Sequence, residues 1–375
     1  MHARPTAAPA ILIYDGGSVF GQLMAADLLA HTAARLLLAG PQGAPEARAA
    51  RALDPTGRRV QAARIQLADD AALDGLLTGM DAAVCCVRGF RGVATTLVDA
   101  CARQRVAYFD MADSRGFVQR VVGRRPIVEA AQITAGTGLG ILPGLSALMT
   151  RHGVEALGLY EVARVDTAVY IGSHRARGVG ALAAAVRCTG RPLARNVYGW
   201  SGRQRAQFPP PIGRRKVYNF DAPDYDLFPG LFGIRQDRVR VRLGFEVDLV
   251  NRGLAILGLL RRLGWHWRYR GLLITVLLGL SAPLRAVGED DGAVLTTVRG
   301  IASRPGHHAA ISAGTLAIVA PDARLLTVLP CAVAVARYLD GQLRPGLLDW
   351  QSWIEPAELW AALQARGLAI TWRPE

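Results

Sequence analysis

The chain has 375 residues, of which 51% are hydrophobic and 20% charged, and its mean hydropathy is +0.20. This composition excludes wholesale disorder and supplies enough apolar surface for one large domain or two ordinary ones. The formal net charge is +14, and every basic residue apart from Lys216 is an arginine. Such a charge would suit an anionic partner, but a solvated basic surface explains it more simply.

Cysteine usage and the first residues predict a cytoplasmic protein. The five cysteines show no metal-ligand spacing and the seven histidines are too scattered for one, so no metal is predicted. Residues 1–9 carry only Arg4 as a fixed positive charge, and the apolar run that follows is too short for a signal peptide. The uncharged stretch 271–284 is shorter than the roughly 20 residues that a spanning helix needs.

The first third of the chain alternates short apolar runs with helical patterns. Right-handed crossovers between such runs give a parallel sheet that is covered on both faces. We therefore predict an α/β fold with a doubly wound parallel sheet. The predicted strands are 10–14, 36–39, 64–67, 82–87 and 106–110, with helices near 20–28, 72–77 and 93–103.

A different pattern begins near Glu155. From 238 to 249 apolar and charged residues alternate, which is typical of a strand with one solvated face. Segments 159–171 and 293–298 are further strand candidates, and 330–340 and 356–364 are helical. We predict a dinucleotide-binding domain at 1–155 and an α+β substrate or dimerisation domain with a mixed or antiparallel sheet at 156–325. A return segment at 326–375 is predicted to pack on the first domain.

A glycine-rich turn follows the first strand: Gly16-Gly17-Ser18-Val19-Phe20-Gly21. A dinucleotide fold places its phosphate loop at such a turn, where backbone amides and a helix N-terminus face the pyrophosphate. Read as G-x-G-x-x-G, the pattern has Ser18 at its middle glycine, and Asp15 adds a negative charge. About 20 residues on, Gly40 and Pro41 stand where an acid or an arginine would contact the ribose. Nucleotide binding and a purely structural fold both remain open at this point.

Several further pieces of sequence, scattered over nearly the whole chain, resemble one family, the saccharopine-dehydrogenase-like oxidoreductases. The resemblance is best over about 9–156, with weaker similarity at 199–202, 221–229 and 330–341. Beside the glycine turn, the pieces are Leu37-Leu38-Ala39-Gly40, Leu97-Val98-Asp99-Ala100-Cys101, Tyr108-Phe109-Asp110-Met111-Ala112-Asp113 and Leu142-Pro143-Gly144-Leu145-Ser146.

The resemblance implies a Rossmann domain, an inserted domain, and hydride transfer between NADP or NAD and an apolar or carboxylate-bearing small molecule. NADP is favoured by the resemblance alone. Arg88 and Asp110 follow two strands at their carboxyl ends, so they join the turn as predicted cofactor-binding residues. No catalytic residue is assigned. Departures from the family at Asp15, Ser18, Pro41 and Arg88 favour an alternative, a non-catalytic relative that binds a lipid surface or a protein partner.

An apolar hairpin is predicted at 253–286. Two leucine-rich segments flank the sequence Gly-Trp-His-Trp-Arg-Tyr-Arg at 264–270. Interleaved aromatic and arginine side chains suit a lipid interface, while a subunit interface of a homodimer or a lid over an apolar cleft suits the leucines. The flanking leucine runs argue against nucleic acid as the partner. The prediction is therefore a cytoplasmic protein that can be membrane-peripheral.

Overall fold

The computed structural model describes residues 8–87, 89–172, 179–264, 288–302 and 310–375. The chain forms two compact units, Met1–Gly140 with Thr327–Trp353, and Ile141–Leu326 with Ile354–Glu375. Each unit contains one seven-stranded sheet. Within the described ranges, no helix combines the length and apolar character needed to cross a bilayer.

The first unit contains a parallel sheet in the order β3-β2-β1-β4-β5-β6-β15. This is the doubly wound order, in which the direction of winding changes between β1 and β4. The predicted fold class is confirmed. The strands are β1 Ala10–Tyr14, β2 Arg35–Gly40, β3 Val60–Arg64, β4 Ala82–Cys85, β5 Ala107–Asp110, β6 Thr134–Gly136 and β15 Gly346–Leu347, and the helices are α1 Val19–His31, α2 Ala44–Leu53, α3 Asp70–Leu77, α4 Thr96–Gln104, α5 Arg115–Val122, α6 Arg125–Ala130 and α11 Leu325–Leu339.

The interior strands of this sheet are continuous apolar runs because both of their faces are covered. In β1, Ile11, Leu12 and Ile13 are all 0% exposed. The edge strand β3 differs from its prediction: the strand is Val60–Arg64, and the predicted range 64–67 overlaps it only at Arg64. Three of the five residues of β3 are exposed, so an edge position leaves this strand without the apolar run that marks the others.

The second unit contains a mixed sheet in the order β10-β11-β12-β7-β13-β14-β16, where only β12 and β7 run parallel. This confirms the predicted second α+β domain. Its strands are β7 Leu159–Ile171, β10 Gln204–Gln207, β11 Arg214–Asn219, β12 Val239–Phe245, β13 Gly292–Ala302, β14 Ala310–Ala320 and β16 Ala369–Pro374, with a separate pair β8 Pro192–Ala194 and β9 Val197–Tyr198. Its helices are α7 Ser146–Leu157, α8 Val179–Cys188, α9 Asp224–Phe232, α10 Asp248–Arg262 and α12 Pro356–Gln364.

The bounds of the compact units differ from the predicted ranges 1–155, 156–325 and 326–375 in two places. The first unit ends at Gly140, because α7 packs against β13 and β14 of the second sheet. The C-terminal segment is divided, because β15 pairs with β6 in the first sheet whereas β16 pairs with β14 in the second. Within the first unit, the indole Nε1 of Trp350 donates to the carbonyl of Thr137 at 2.7 Å.

Candidate functional site

The turn between β1 and α1 is a tight reversal held by backbone hydrogen bonds. Asp15 adopts a φ of +58°, in the left-handed region that non-glycine residues enter rarely. The amide of Ser18 donates to the carbonyl of Asp15 at 2.9 Å, and the amide of Gly16 donates to the carbonyl of Ala39 at 3.2 Å. The chain therefore enters α1 at the carboxyl end of β1, next to the end of β2.

Two glycines allow three segments to meet at this turn. A Cβ on Gly21 would lie 2.5 Å from the carbonyl oxygen of Asp15, so α1 can pack against the turn only through a glycine. A Cβ on Gly17 would lie 2.7 Å from Pro45 and from the amide nitrogen of Glu46. The glycine turn is thus enclosed on one side by α1 and on the other by the first turn of α2.

Ser18 caps α1 and points its hydroxyl into the unit. Its Oγ accepts from the amide of Gly21 at 3.0 Å and donates to the carbonyl of Cys86, just beyond β4, at 3.2 Å. The residue is 8% exposed. Its cap contributes about 1 kcal/mol to helix stability. Because the hydroxyl proton is donated to Cys86, Ser18 has no proton left for an anion, and it contributes to an anion site only by fixing the backbone of the turn.

The amides of Val19 and Phe20 open α1, and the described residues offer neither a backbone acceptor outside the helix. Such first-turn amides lie at the positive end of the helix dipole, which is worth roughly half an elementary charge. The turn therefore presents two donors and a favourable potential to an anion at the carboxyl end of β1.

Glu46 was not predicted and lies beside the same turn. Its side chain comes from the first turn of α2, is 2% exposed, and has an Oε2 atom with no hydrogen-bond partner in the part of the chain that the structure describes. A Cβ on Gly40, at the end of β2, would overlap the Oε1 atom of Glu46. The signal in the sequence is Gly40 at the end of β2, which leaves room for the carboxylate of Glu46 six residues further along the chain.

Asp110 ends β5 and is 0% exposed. Its Oδ1 atom accepts from the amides of Ala112 and Gly138, and its Oδ2 atom accepts from the hydroxyl of Tyr108, each at 2.8 Å. Burial raises the pKa of Asp110 despite these bonds. The carboxyl group joins β5 to the loop after β6 inside the unit, and its contact with a cofactor stays a prediction.

Two other predicted features fall wholly or partly outside the described residues. Arg88 is one of them. Of the hairpin at 253–286, the structure describes 253–264, which includes the last ten residues of α10, and not 265–286.

A second cluster, in the second unit, joins two of the segments that carried the family resemblance. Ser146 begins α7 and Asp224 begins α9, and both are 0% exposed. The Oγ atom of Ser146 lies 2.6 Å from Asp224 Oδ1 and 3.1 Å from the carbonyl oxygen of Pro143. Burial raises the pKa of Asp224 to about 7. A protonated Asp224 satisfies both contacts, because it can donate to Ser146 while Ser146 donates to Pro143.

No protein-family model matches the sequence, and no curated protein matches it. Partial similarity to solved structures includes Pen from Bacillus thuringiensis, at 8% identity and a TM-score of 0.28, over 35% of this chain and 50% of that one. Uronate dehydrogenase from Agrobacterium tumefaciens, complexed with NAD, has 15% identity and a TM-score of 0.27, over 35% and 60% of the two chains. The binary complex of leucoanthocyanidin reductase with NADPH from Vitis vinifera has 17% identity and a TM-score of 0.27, over 34% and 49%.

These matches cover about a third of the chain and half to three fifths of the three structures. At such identities and TM-scores they carry no argument about activity.

Replacing Gly21 by Ala tests the close packing of α1 on the turn. We expect Gly21→Ala to lower the free energy of unfolding by about 1–3 kcal/mol, because its Cβ would meet the backbone of Asp15. Urea unfolding followed by circular dichroism measures this change. Gly75→Ala is the control, since Gly75 lies in α3 and a Cβ there would have nothing within 4 Å. This variant should raise the free energy of unfolding by up to about 1 kcal/mol. Equal effects of the two changes would contradict the packing.

The Asp224 cluster predicts a pH dependence of stability. Between about pH 4 and pH 7 the folded state holds a proton that the unfolded state has released, so stability should fall as the pH rises through this window and then level off. Asp224→Asn keeps the neutral hydrogen-bonding shape. We expect this variant to match the wild type near pH 4 and to exceed it above pH 7 by on the order of a few kcal/mol. A difference in unfolding free energy that does not change with pH would refute the assignment.

Proposed function

We propose that the protein is an NAD(P)-dependent oxidoreductase similar to the saccharopine-dehydrogenase-like family, with the dinucleotide held by the first unit. One observation carries the proposal: the glycine turn enters α1 at the carboxyl end of β1, beside the point where the sheet changes its direction of winding. In open α/β sheets, ligands bind in the crevice at this position.

The residues at the turn fit a dinucleotide. The amides of Val19 and Phe20 can donate to a pyrophosphate at the helix N-terminus. The departure at Ser18 leaves this position accessible, because its side chain is turned toward Cys86. A nicotinamide dinucleotide supplies the hydride donor or acceptor, and the turn supplies its binding and orientation.

The proposed substrate is an apolar or carboxylate-bearing small molecule that uses the second unit. This part of the proposal rests on the family resemblance and on the meeting of two resembling segments at Ser146 and Asp224. The protein is proposed to act in the cytoplasm, with a homodimer as one form in which it works.

Titration of the purified chain with NADH and NADPH tests the cofactor proposal, with nicotinamide fluorescence and thermal shift recorded together. We expect saturable binding of at least one dinucleotide. Val19→Pro should weaken this binding several-fold, because it removes one first-turn amide at a position where proline suits a helix. Ser18 already has the extended backbone that a following proline requires.

Val19→Ala is the matched control, since it also removes the valine side chain but keeps the backbone amide. It should bind the dinucleotide as the wild type does. Absence of binding by the wild type at millimolar NADH and NADPH would refute the cofactor proposal.

A second candidate function is attachment to an anionic lipid surface. One face of α10 is buried, with Asn251, Leu254 and Gly258 turned into the second unit. The other face exposes apolar side chains that fall within about 80° of one another on a helical wheel. They are Leu249 (77% exposed), Ile256 (60%), Leu259 (55%) and the adjoining Leu263 (75%).

Charge favours lipid as the occupant of this face. Arg252 is 63% exposed on the same face, where its Nε atom pairs with Asp248 Oδ2 at 2.7 Å, and the whole chain carries a net charge of +14. Apolar side chains beside arginine suit the boundary between acyl chains and anionic headgroups.

Flotation with vesicles of phosphatidylcholine and phosphatidylglycerol tests the lipid candidate. We expect the wild type to float and the double variant Ile256→Glu with Leu259→Glu to lose most of its binding, since both changes place charge on the exposed face. Ile127→Glu, on α6 of the first unit, is the control because Ile127 is also exposed, at 45%. Binding that is equal in all three proteins would rule out α10 as the attachment surface.

A further inference from the structure

We infer that Glu46 makes the dinucleotide site select NAD over NADP, by accepting hydrogen bonds from the adenosine ribose diol and repelling a 2′-phosphate. This inference rests on the proposed function and goes beyond it. The family resemblance favours NADP, so the inference disagrees with it. The inference also assigns the selection to a residue of α2, whereas in most doubly wound folds the selecting acid stands at the end of β2.

The position of Glu46 carries the first step. Its backbone amide nitrogen lies against Gly17 of the glycine turn, and its side-chain Oε1 atom lies against Gly40 at the end of β2. These two contacts place the carboxylate between the turn and the end of β2. In a doubly wound fold, a group at the end of β2 faces the ribose of the adenosine half of a dinucleotide.

The unsatisfied oxygen carries the second step. Glu46 is 2% exposed, and its Oε2 atom is buried without a partner among the residues that the structure describes. A buried oxygen in this state costs about as much as a lost hydrogen bond, so it favours a ligand that brings donors. The two hydroxyl groups of a ribose are such donors.

Charge determines which of the two dinucleotides is favoured. A 2′-phosphate carries up to two negative charges and offers mainly acceptors, and at a few ångströms from a carboxylate it is repelled. A 2′-hydroxyl at the same place donates to the carboxylate. One residue thus favours the diol and disfavours the phosphate, which is how a site discriminates between two similar ligands.

Arg64 is one described group in this region that would favour the opposite preference. It ends β3, next to β2, and its Nε atom donates to the carbonyl of Pro41 at 3.2 Å. Its side chain is exposed, whereas Glu46 is buried beside the turn. An exposed arginine is screened by solvent, so we give Glu46 the larger effect.

Isothermal titration of the full chain with NADH, NADPH, 5′-AMP and adenosine 2′,5′-bisphosphate tests the inference. The two adenosine nucleotides probe the ribose site without the nicotinamide half. The wild type should bind NADH and 5′-AMP at least about tenfold more tightly than their 2′-phosphorylated counterparts. Glu46→Gln keeps the shape and removes the charge, and it should reduce this preference about tenfold.

Glu129→Gln is the control, since it removes the same charge from an exposed glutamate of α6 in the first unit. Its preference should equal that of the wild type. If Glu46→Gln does not fold, as judged by thermal melting, the preference of the wild type alone decides.

The outcomes separate this inference from the proposed function. Dinucleotide binding without a preference for NADH, or with a preference that Glu46→Gln leaves unchanged, overturns the role of Glu46 and leaves the oxidoreductase proposal standing. Tighter binding of NADPH that is lost in Arg64→Ala overturns it in the same way. If neither dinucleotide binds, the carboxylate fills the site that a ribose would need, and both proposals fail.

Discussion

The close approach of α1 to the end of β1 is the constraint on which the candidate site depends. Without a Cβ at Gly21, the backbone of Asp15 can lie directly under the first turn of the helix. Ser18 then uses one hydroxyl group to cap α1 and to bond the chain just beyond β4. The two strands on either side of the winding change are therefore fixed to one helix terminus, and the amides at that terminus keep a fixed direction.

Several interior strands of both units could be predicted from sequence, among them β1, β4 and β7, whereas the interior strands β6, β11 and β14 were not predicted. A strand covered on both faces is a continuous apolar run, as in β1. The alternation at 238–249 located β12, but the strand ends at Phe245 and has no solvated face, because Arg242 is buried in an ion pair with Asp166. Edge strands lack these signals. The strand β3 is mostly exposed, and β16 is defined by its pairing with β14, a contact far away in the sequence. No local pattern indicates such a contact.

The candidate site shows a similar division between backbone and side chains. The glycine turn could be predicted because only glycine allows its close approaches. The directions of side chains could not be predicted, because they depend on partners from distant segments. Asp110 bonds to Gly138, Ser146 bonds to Asp224, and Glu46 lies against Gly40. Asp110 and Asp224 are buried in hydrogen-bonded clusters, although Asp224 Oδ2 has no partner among the described residues, and Glu46 likewise leaves a buried oxygen, here beside the turn, without a partner among them.

A helix N-terminus alone attracts any phosphate, since its amides and dipole respond to charge and little else. In the proposed site, the first-turn amides of Val19 and Phe20 would therefore supply affinity for a phosphate but not selectivity between dinucleotides. The carboxylate of Glu46, next to the end of β2, adds a negative potential a short distance from this positive helix terminus. A dinucleotide with a free ribose diol places its negative charge at the helix terminus and its hydroxyl donors at the carboxylate. A dinucleotide with a 2′-phosphate places negative charge at both. In the proposed site, the pairing of a positive helix terminus with a buried carboxylate would thus turn general anion binding into recognition of one charge pattern.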